Sequence, residues 1–249
     1  MFYLSVTKGG VDYWANAWFP LHNEQLPENS EEKASVAGVL APKAGLQGYL
    51  ASKSAIEKYE IKSLEDFKRP EVKKAFDGNK DGKADLVACP PGWGCEKVIA
   101  HHMDAYNIRD HINHSKANYS ASFSDALGRT KEGKPILFYT WTPNWTVYKL
   151  KPGEDVVWIN VPEIVPKEGQ EGLEDAMVAE GLNGTVTDPC KMGFVANDIR
   201  VGANKDFIEK NPAVKTIFSL MSVPFNDIAA QNNRMFQGED KQEDIERHV

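Results

Sequence analysis

Three tryptophans and a pair of cysteines carry the pattern in this chain that could do chemistry. Trp18, Trp93 and Trp141 each stand at or just beyond a segment that reads as a strand: the aromatic-rich stretch 11–18, the stretch 85–88 and the apolar run 135–140. In open α/β sheets, ligands lie outside the carboxyl ends of strands. Three indoles converging there would make an apolar, electron-rich box, an arrangement that suits a quaternary ammonium. Such a cation has no N–H to donate, so it gains little from hydrogen-bond acceptors and much from π faces. For a single tryptophan, core packing is the simpler reading. Trp14, Trp145 and Trp158 are assigned to the core or its margin on that ground.

The segment around Trp93 adds a second element. A helix expected to start near Glu96 puts the Gly94 and Cys95 backbone N–H groups at its N-terminus, where unpaired amides can hold an anion. Gly92 and Gly94 let the backbone approach a ligand closely. Cys89 and Cys95 flank Pro90-Pro91-Gly92-Trp93-Gly94. They read either as a small covalent loop, which implies an oxidising compartment, or as two unrelated buried thiols. A bridge would fix the turn and contribute about 2 kcal/mol by chain entropy. The cation box and the anion-binding turn share Trp93, so the implied ligand is a small zwitterion. His22, four residues after Trp18, could reach the same anion.

Other constellations compete. His101, His102, His111 and His114 resemble a metal cluster, but adjacent histidines on a helix diverge by about 100°, and His102 falls on the buried stripe. The cysteine spacing is not CxxC and no second Cys/His pair stands near it, which argues against zinc. A Cys95/His102 nucleophile pair would make a thiol hydrolase, yet a cysteine committed to a bridge cannot be a thiolate. In Asp77-Gly78-Asn79-Lys80-Asp81-Gly82-Lys83-Ala84-Asp85, oxygen ligands at positions one, three, five and nine match the start of a calcium loop. Position twelve is Ala88 where a glutamate belongs, and a polar Asn/Asp/Gly turn is the blander reading. No metal and no cofactor is expected.

The elements that must position these residues follow an α/β alternation. Strands are expected at 48–51, 85–88 and 156–161, and the continuous apolar run 135–140 fits a strand buried on both faces. Helices are expected over 96–106, where Val98, Ile99, His102, Met103 and Tyr106 fall on one stripe, and over 119–132. Ser63 with Asp66 opens another in capping-box fashion. Asn204 caps a further helix that Pro212 interrupts. Val214, Ile217, Phe218 and Met221 form the next stripe, and 224–236 a last long helix.

Composition sets the bounds. The 249 residues are 41% hydrophobic, enough for a packed core, and carry a formal charge of −7, which argues against nucleic acid or an anionic membrane as the main partner. No apolar run approaches the roughly 18 residues of a spanning helix. The first six residues lack the basic start and apolar stretch of a secretory signal.

At Trp18-Phe19-Pro20-Leu21-His22, at the Cys89-to-Cys95 segment and at Tyr139-Thr140-Trp141-Thr142-Pro143, the chain resembles the glycine betaine/proline betaine-binding proteins of ABC importers, of the periplasmic ProX type. The stretches 81–86, 131–135, 150–158, 203–205 and 209–212 add to the likeness, which runs from about residue 10 to the end. The resemblance implies a two-lobed type II periplasmic binding-protein fold with the ligand in the cleft between lobes. It implies that Trp18, Trp93 and Trp141 box the trimethylammonium group, that His22 and the Gly94 and Cys95 amides hold the carboxylate, and that Cys89 and Cys95 form a disulfide. It also implies a non-enzymatic, periplasmic, monomeric receptor serving a membrane permease.

Family members carry a signal peptide and a β-α-β segment before the point where this chain starts, and a longer helical tail. The chain is therefore expected to be truncated at both ends, with lobe I formed by residues 1–47 and 200–249 and lobe II by 48–199. Phe19 replaces a more polar residue, and Cys190 lies outside the site motif. Choline, carnitine or dimethylsulfoniopropionate are the rival ligands, and choline lacks the carboxylate that the amide turn calls for.

Overall fold

The computed structural model describes residues 2–115, of Ser115 the backbone alone, and 118–248. Strands in chain order are β1 (Tyr13–Phe19), β2 (Ala34–Gly45), β3 (Gln47–Ser52), β4 (Ala84–Val87), β5 (Ile112–Ser115), β6 (Leu137–Trp141), β7 (Val156–Ile159), β8 (Val178–Ala179), β9 (Cys190–Lys191) and β10 (Asn197–Asn204). The chain divides into two compact units. One comprises Met1–Leu46, Thr142–Trp145 and Ala196–Val249, the other Gln47–Trp141 and Thr146–Val195.

The first unit is built on an antiparallel sheet in the order β1-β10-β2. Leu40, Val201, Ala203, Ile208 and Phe218 form its buried cluster. Asn204 caps the helix Lys205–Lys210 by accepting from the Phe207 amide at 3.1 Å, and Pro212 starts the next helix, Pro212–Leu220, at a position where its missing N–H costs nothing. The expected stripe on that helix is only partly used. Phe218 is buried, whereas Ile217 is 55% exposed.

The second unit holds a mixed sheet in the order β5-β4-β6-β3-β7, with β4 parallel to both β5 and β6, and β3 antiparallel to β6 and β7. The 135–140 run supplies β6, which spans Leu137–Trp141 and is buried on both faces over Leu137–Thr140, as its apolar character requires, but its sheet is mixed rather than parallel. Helices Gly94–Ala105 and Tyr119–Lys131 follow β4 and β5. Leu50, Phe123, Leu137 and Phe138 are at most 1% exposed, and each buried side chain of this size stabilises the fold by about 1.5–3 kcal/mol. The capping box at Ser63 and Asp66 forms, but it opens a five-residue 3-10 turn, and Pro70 restarts the chain as an α-helix. No helix among the described residues is long and apolar enough to cross a membrane.

Candidate functional site

Parallel pairing of β4 and β6, with Val87 opposite Phe138, aligns the carboxyl ends of the two strands. Trp141 closes β6, and the chain leaving β4 reaches Trp93 within six residues, so both indoles come to one edge of the sheet. Their ring centroids lie 5.4 Å apart at 72°, an edge-to-face pair. Tyr119 packs on Trp141 at 5.0 Å and Tyr139 at 6.0 Å. The Tyr119 hydroxyl donates to the Tyr139 carbonyl at 2.8 Å, and the Tyr139 hydroxyl donates to Gln47 Oε1 at 2.6 Å. Burial raises both phenols well above their ordinary range, so both stay protonated donors. Trp93 itself is 46% exposed, which is the state of a side chain with a face to offer.

Trp93 also ends the turn. Its backbone is extended (φ −87°, ψ 150°), and the helix begins at Gly94, two residues earlier than the sequence suggests. Gly94 and Cys95 are therefore the first two helical residues, whose N–H groups have no carbonyl within the helix to meet. The helix dipole adds to their pull on an anion. Gly92 adopts φ +85°, a conformation that favours glycine, and its N–H donates to Glu96 Oε2 at 2.9 Å. A Cys89–Cys95 disulfide with Cα atoms 5.9 Å apart closes the turn from the side. Cys95 Sγ is thus no thiol, and the Cys95/His102 nucleophile pair does not exist. His102 is fully buried between Tyr49, which meets its Nδ1 at 2.9 Å, and the Gly193 carbonyl, 3.1 Å from its Nε2. That burial lowers its pKa to about 3. Cys190 is a buried free thiol, pushed up to about 11 by burial and by Asp188.

Trp18 and His22 sit together in the first unit. The chain turns back after Trp18: the His22 N–H donates to the Trp18 carbonyl at 2.8 Å and the Trp18 N–H to His22 Nδ1 at 3.1 Å. Buried Asn197 holds the turn by accepting from the Leu21 amide at 2.8 Å. The Trp18 Nε1–H donates to Asn16 Oδ1 at 2.7 Å. Its ring lies over Gly45, where a Cβ would come within 2.9 Å of two ring atoms, so β2 needs a glycine there. Tyr3 reaches His22 Nδ1 with its hydroxyl at 2.7 Å, and Trp14 stacks on the imidazole at 5.6 Å and 8°. Burial lowers the His22 pKa to about 4, so the ring is neutral at neutral pH.

Two partners of the candidate site residues carry no signal in the sequence. By type and position Trp14 reads as a packing residue, and Tyr3 as part of an N-terminus unlike a secretory signal. Tyr3 lies 19 residues from His22, with no periodicity to join them. The other tryptophans behave as packing residues, Trp158 fully buried and Trp145 stacked on Phe236 at 3.6 Å. In the 77–85 loop, Asp77 accepts from the Asp81 and Gly82 amides, Asp81 from Lys83, and Asp85 from Gly78 while pairing with Arg129 at 3.0 Å. The oxygens are thus engaged by the loop's own amides and an arginine, as in a polar turn. The histidines do not form a metal cluster either: among the described residues no group of three or more His, Cys, Asp or Glu could hold a metal ion.

Residues 1–248 match the family model described as the substrate-binding domain of the ABC-type glycine betaine transport system. The glycine betaine-binding periplasmic protein OusX of Dickeya dadantii is 44% identical over 99% of this chain and 72% of its own length. The glycine betaine/proline betaine-binding periplasmic protein of Salmonella typhimurium is 39% identical over the same shares. In three dimensions, the glycine betaine, L-proline-binding protein ProX from Borrelia burgdorferi superposes with a TM-score of 0.67 over 99% of this chain and 76% of its own, at 13% identity. The chain therefore belongs to the family of substrate-binding domains of ABC-type glycine betaine transporters, with the mixed α/β, type II periplasmic binding-protein fold.

Proposed function

We propose that this chain is the periplasmic solute receptor of an ABC importer, capturing glycine betaine or proline betaine and delivering it to a membrane permease. In this reading the two compact units are the two lobes of the receptor, which acts as a monomer and catalyses nothing. Trp18, Trp93 and Trp141 face the methylated ammonium. His22 and the Gly94 and Cys95 amides hold the carboxylate, and the Cys89–Cys95 bridge keeps the amide turn rigid.

The observation that carries the proposal is the double role of one short segment. Trp93 stands edge-to-face with Trp141, and the next two residues open a helix, where an amide has no carbonyl within the helix to meet. A π surface and an anion site one residue apart match a molecule whose opposite charges are one methylene apart. The names and membership of the relatives point the same way. A desolvated ammonium on tryptophan gains about 2 kcal/mol, and charge-assisted hydrogen bonds from two amides about 1.5–3 kcal/mol each. Isothermal titration with glycine betaine and proline betaine tests the reading. One saturable site per chain is expected, and the absence of binding heat together with an unchanged melting temperature would overturn it.

A further inference from the structure

We infer that Tyr3 is a positioning residue which, together with the Trp18 amide, holds His22 in the tautomer protonated on Nε2, so that the imidazole meets an anion as a neutral N–H donor. A backbone amide can only donate, so the Trp18 N–H at 3.1 Å makes Nδ1 an acceptor. The Tyr3 hydroxyl, 2.7 Å from the same nitrogen, is then a second donor to it. The single proton of a neutral ring must reside on Nε2. Tyr3 is buried, 6% exposed. The imidazole is also held by its faces, with the Tyr3 ring edge-on at 5.7 Å and Trp14 parallel at 5.6 Å.

The arrangement has a functional consequence that rests on the reading of His22 as a ligand residue. In a betaine the carboxylate and the ammonium are close neighbours. An imidazolium would attract one and repel the other, whereas a neutral N–H donor serves the carboxylate without opposing the cation. Protonating Nδ1 would also set two donors against a third. The Trp18 amide cannot reverse its bond, and Tyr3 would have to turn its hydroxyl.

Nitrogen NMR of the full chain with labelled histidine tests this, the His22 signals being assigned by their loss in His22→Asn. The expected result in the free protein is an unprotonated Nδ1 and a protonated Nε2 across neutral pH. Tyr3→Phe is expected to weaken glycine betaine binding about tenfold, to bring imidazolium signals of His22 toward neutral pH, and to leave the near-ultraviolet tryptophan circular dichroism unchanged. A proton on Nδ1 in the unaltered protein overturns the inference without any variant. So does a Tyr3→Phe protein with unaltered affinity and nitrogen shifts. If the unaltered protein shows the expected tautomer yet binds no betaine, the proposed function fails and the hold of Tyr3 on His22 stands.

Discussion

The two tryptophan clusters are built by different means. Around Trp93 and Trp141 the backbone does the positioning: two parallel strand ends, a helix start and a disulfide fix where the rings and amides lie. Around Trp18 and His22 side chains do it: Tyr3, Trp14 and Asn197 converge on one turn from separate parts of the chain. A site made of backbone tolerates changes in its neighbours but fails when an amide is removed. A site made of side-chain partnerships loses its geometry through residues that never touch the ligand.

The largest effect is expected at the ring held from most sides. Trp141→Ala removes the partner of Trp93, Tyr119 and Tyr139 at once, and binding of glycine betaine should weaken on the order of 30-fold or more. Calorimetry would measure it, and a near-normal affinity would take Trp141 out of the site. Next comes the amide turn. Proline is tolerated as the first residue of a helix, and the extended backbone of Trp93 is the conformation a following proline demands. Gly94→Pro should therefore keep the helix while deleting one N–H, weakening binding about tenfold. Retained helicity with unaltered affinity would contradict the anion site.

Breaking the disulfide sharpens the same contrast. Cys89→Ser should lower unfolding stability by about 2 kcal/mol in urea titrations and weaken the ligand through the Trp93 turn, leaving the His22 nitrogen shifts as they were. Equal stability would mean that the bridge constrains nothing. The smallest effect is a flat line. With His22 neutral above about pH 4 and the ligand cation permanent, affinity should hardly change across neutral pH. On the acid side, stability should fall. His22 and His102 are lowered below the ordinary histidine value of 6.5 to about 4 and about 3. Below 6.5 the unfolded chain binds protons that the folded chain refuses, so the stabilisation present above 6.5 is lost as pH falls through that window. Affinity that drops as pH rises past 6.5 would instead mark His22 as a charged contact.

The same contrast governs how much the sequence reveals. The Trp93 turn is legible because its parts are contiguous: two glycines, two cysteines and the start of an amphipathic helix. The 135–140 strand is legible because a run of apolar residues needs burial on both faces. Even there the helix starts two residues early, since glycine's poor helix propensity does not bar it from the first turn when the preceding residue is extended. The strand β2 is not legible in the sequence because Ala, Gly, Pro and Lys show no alternation; its pairing with β10 makes it a strand. The Tyr3–His22 pair is a tertiary contact with no local signature. In the 77–85 loop, spacing alone could not show that Asp85 turns to Arg129 and that Asp77 and Asp81 accept from amides of other loop residues.

The central claim is that indole faces recognise a positive charge and not merely a bulky apolar group. Its most direct test is a competition titration of glycine betaine against its carbon isostere, in which a quaternary carbon replaces the nitrogen and shape and carboxylate are kept. The account predicts that the isostere binds more weakly by about 2 kcal/mol or more, roughly 30-fold. Equal affinity for the two molecules would contradict it.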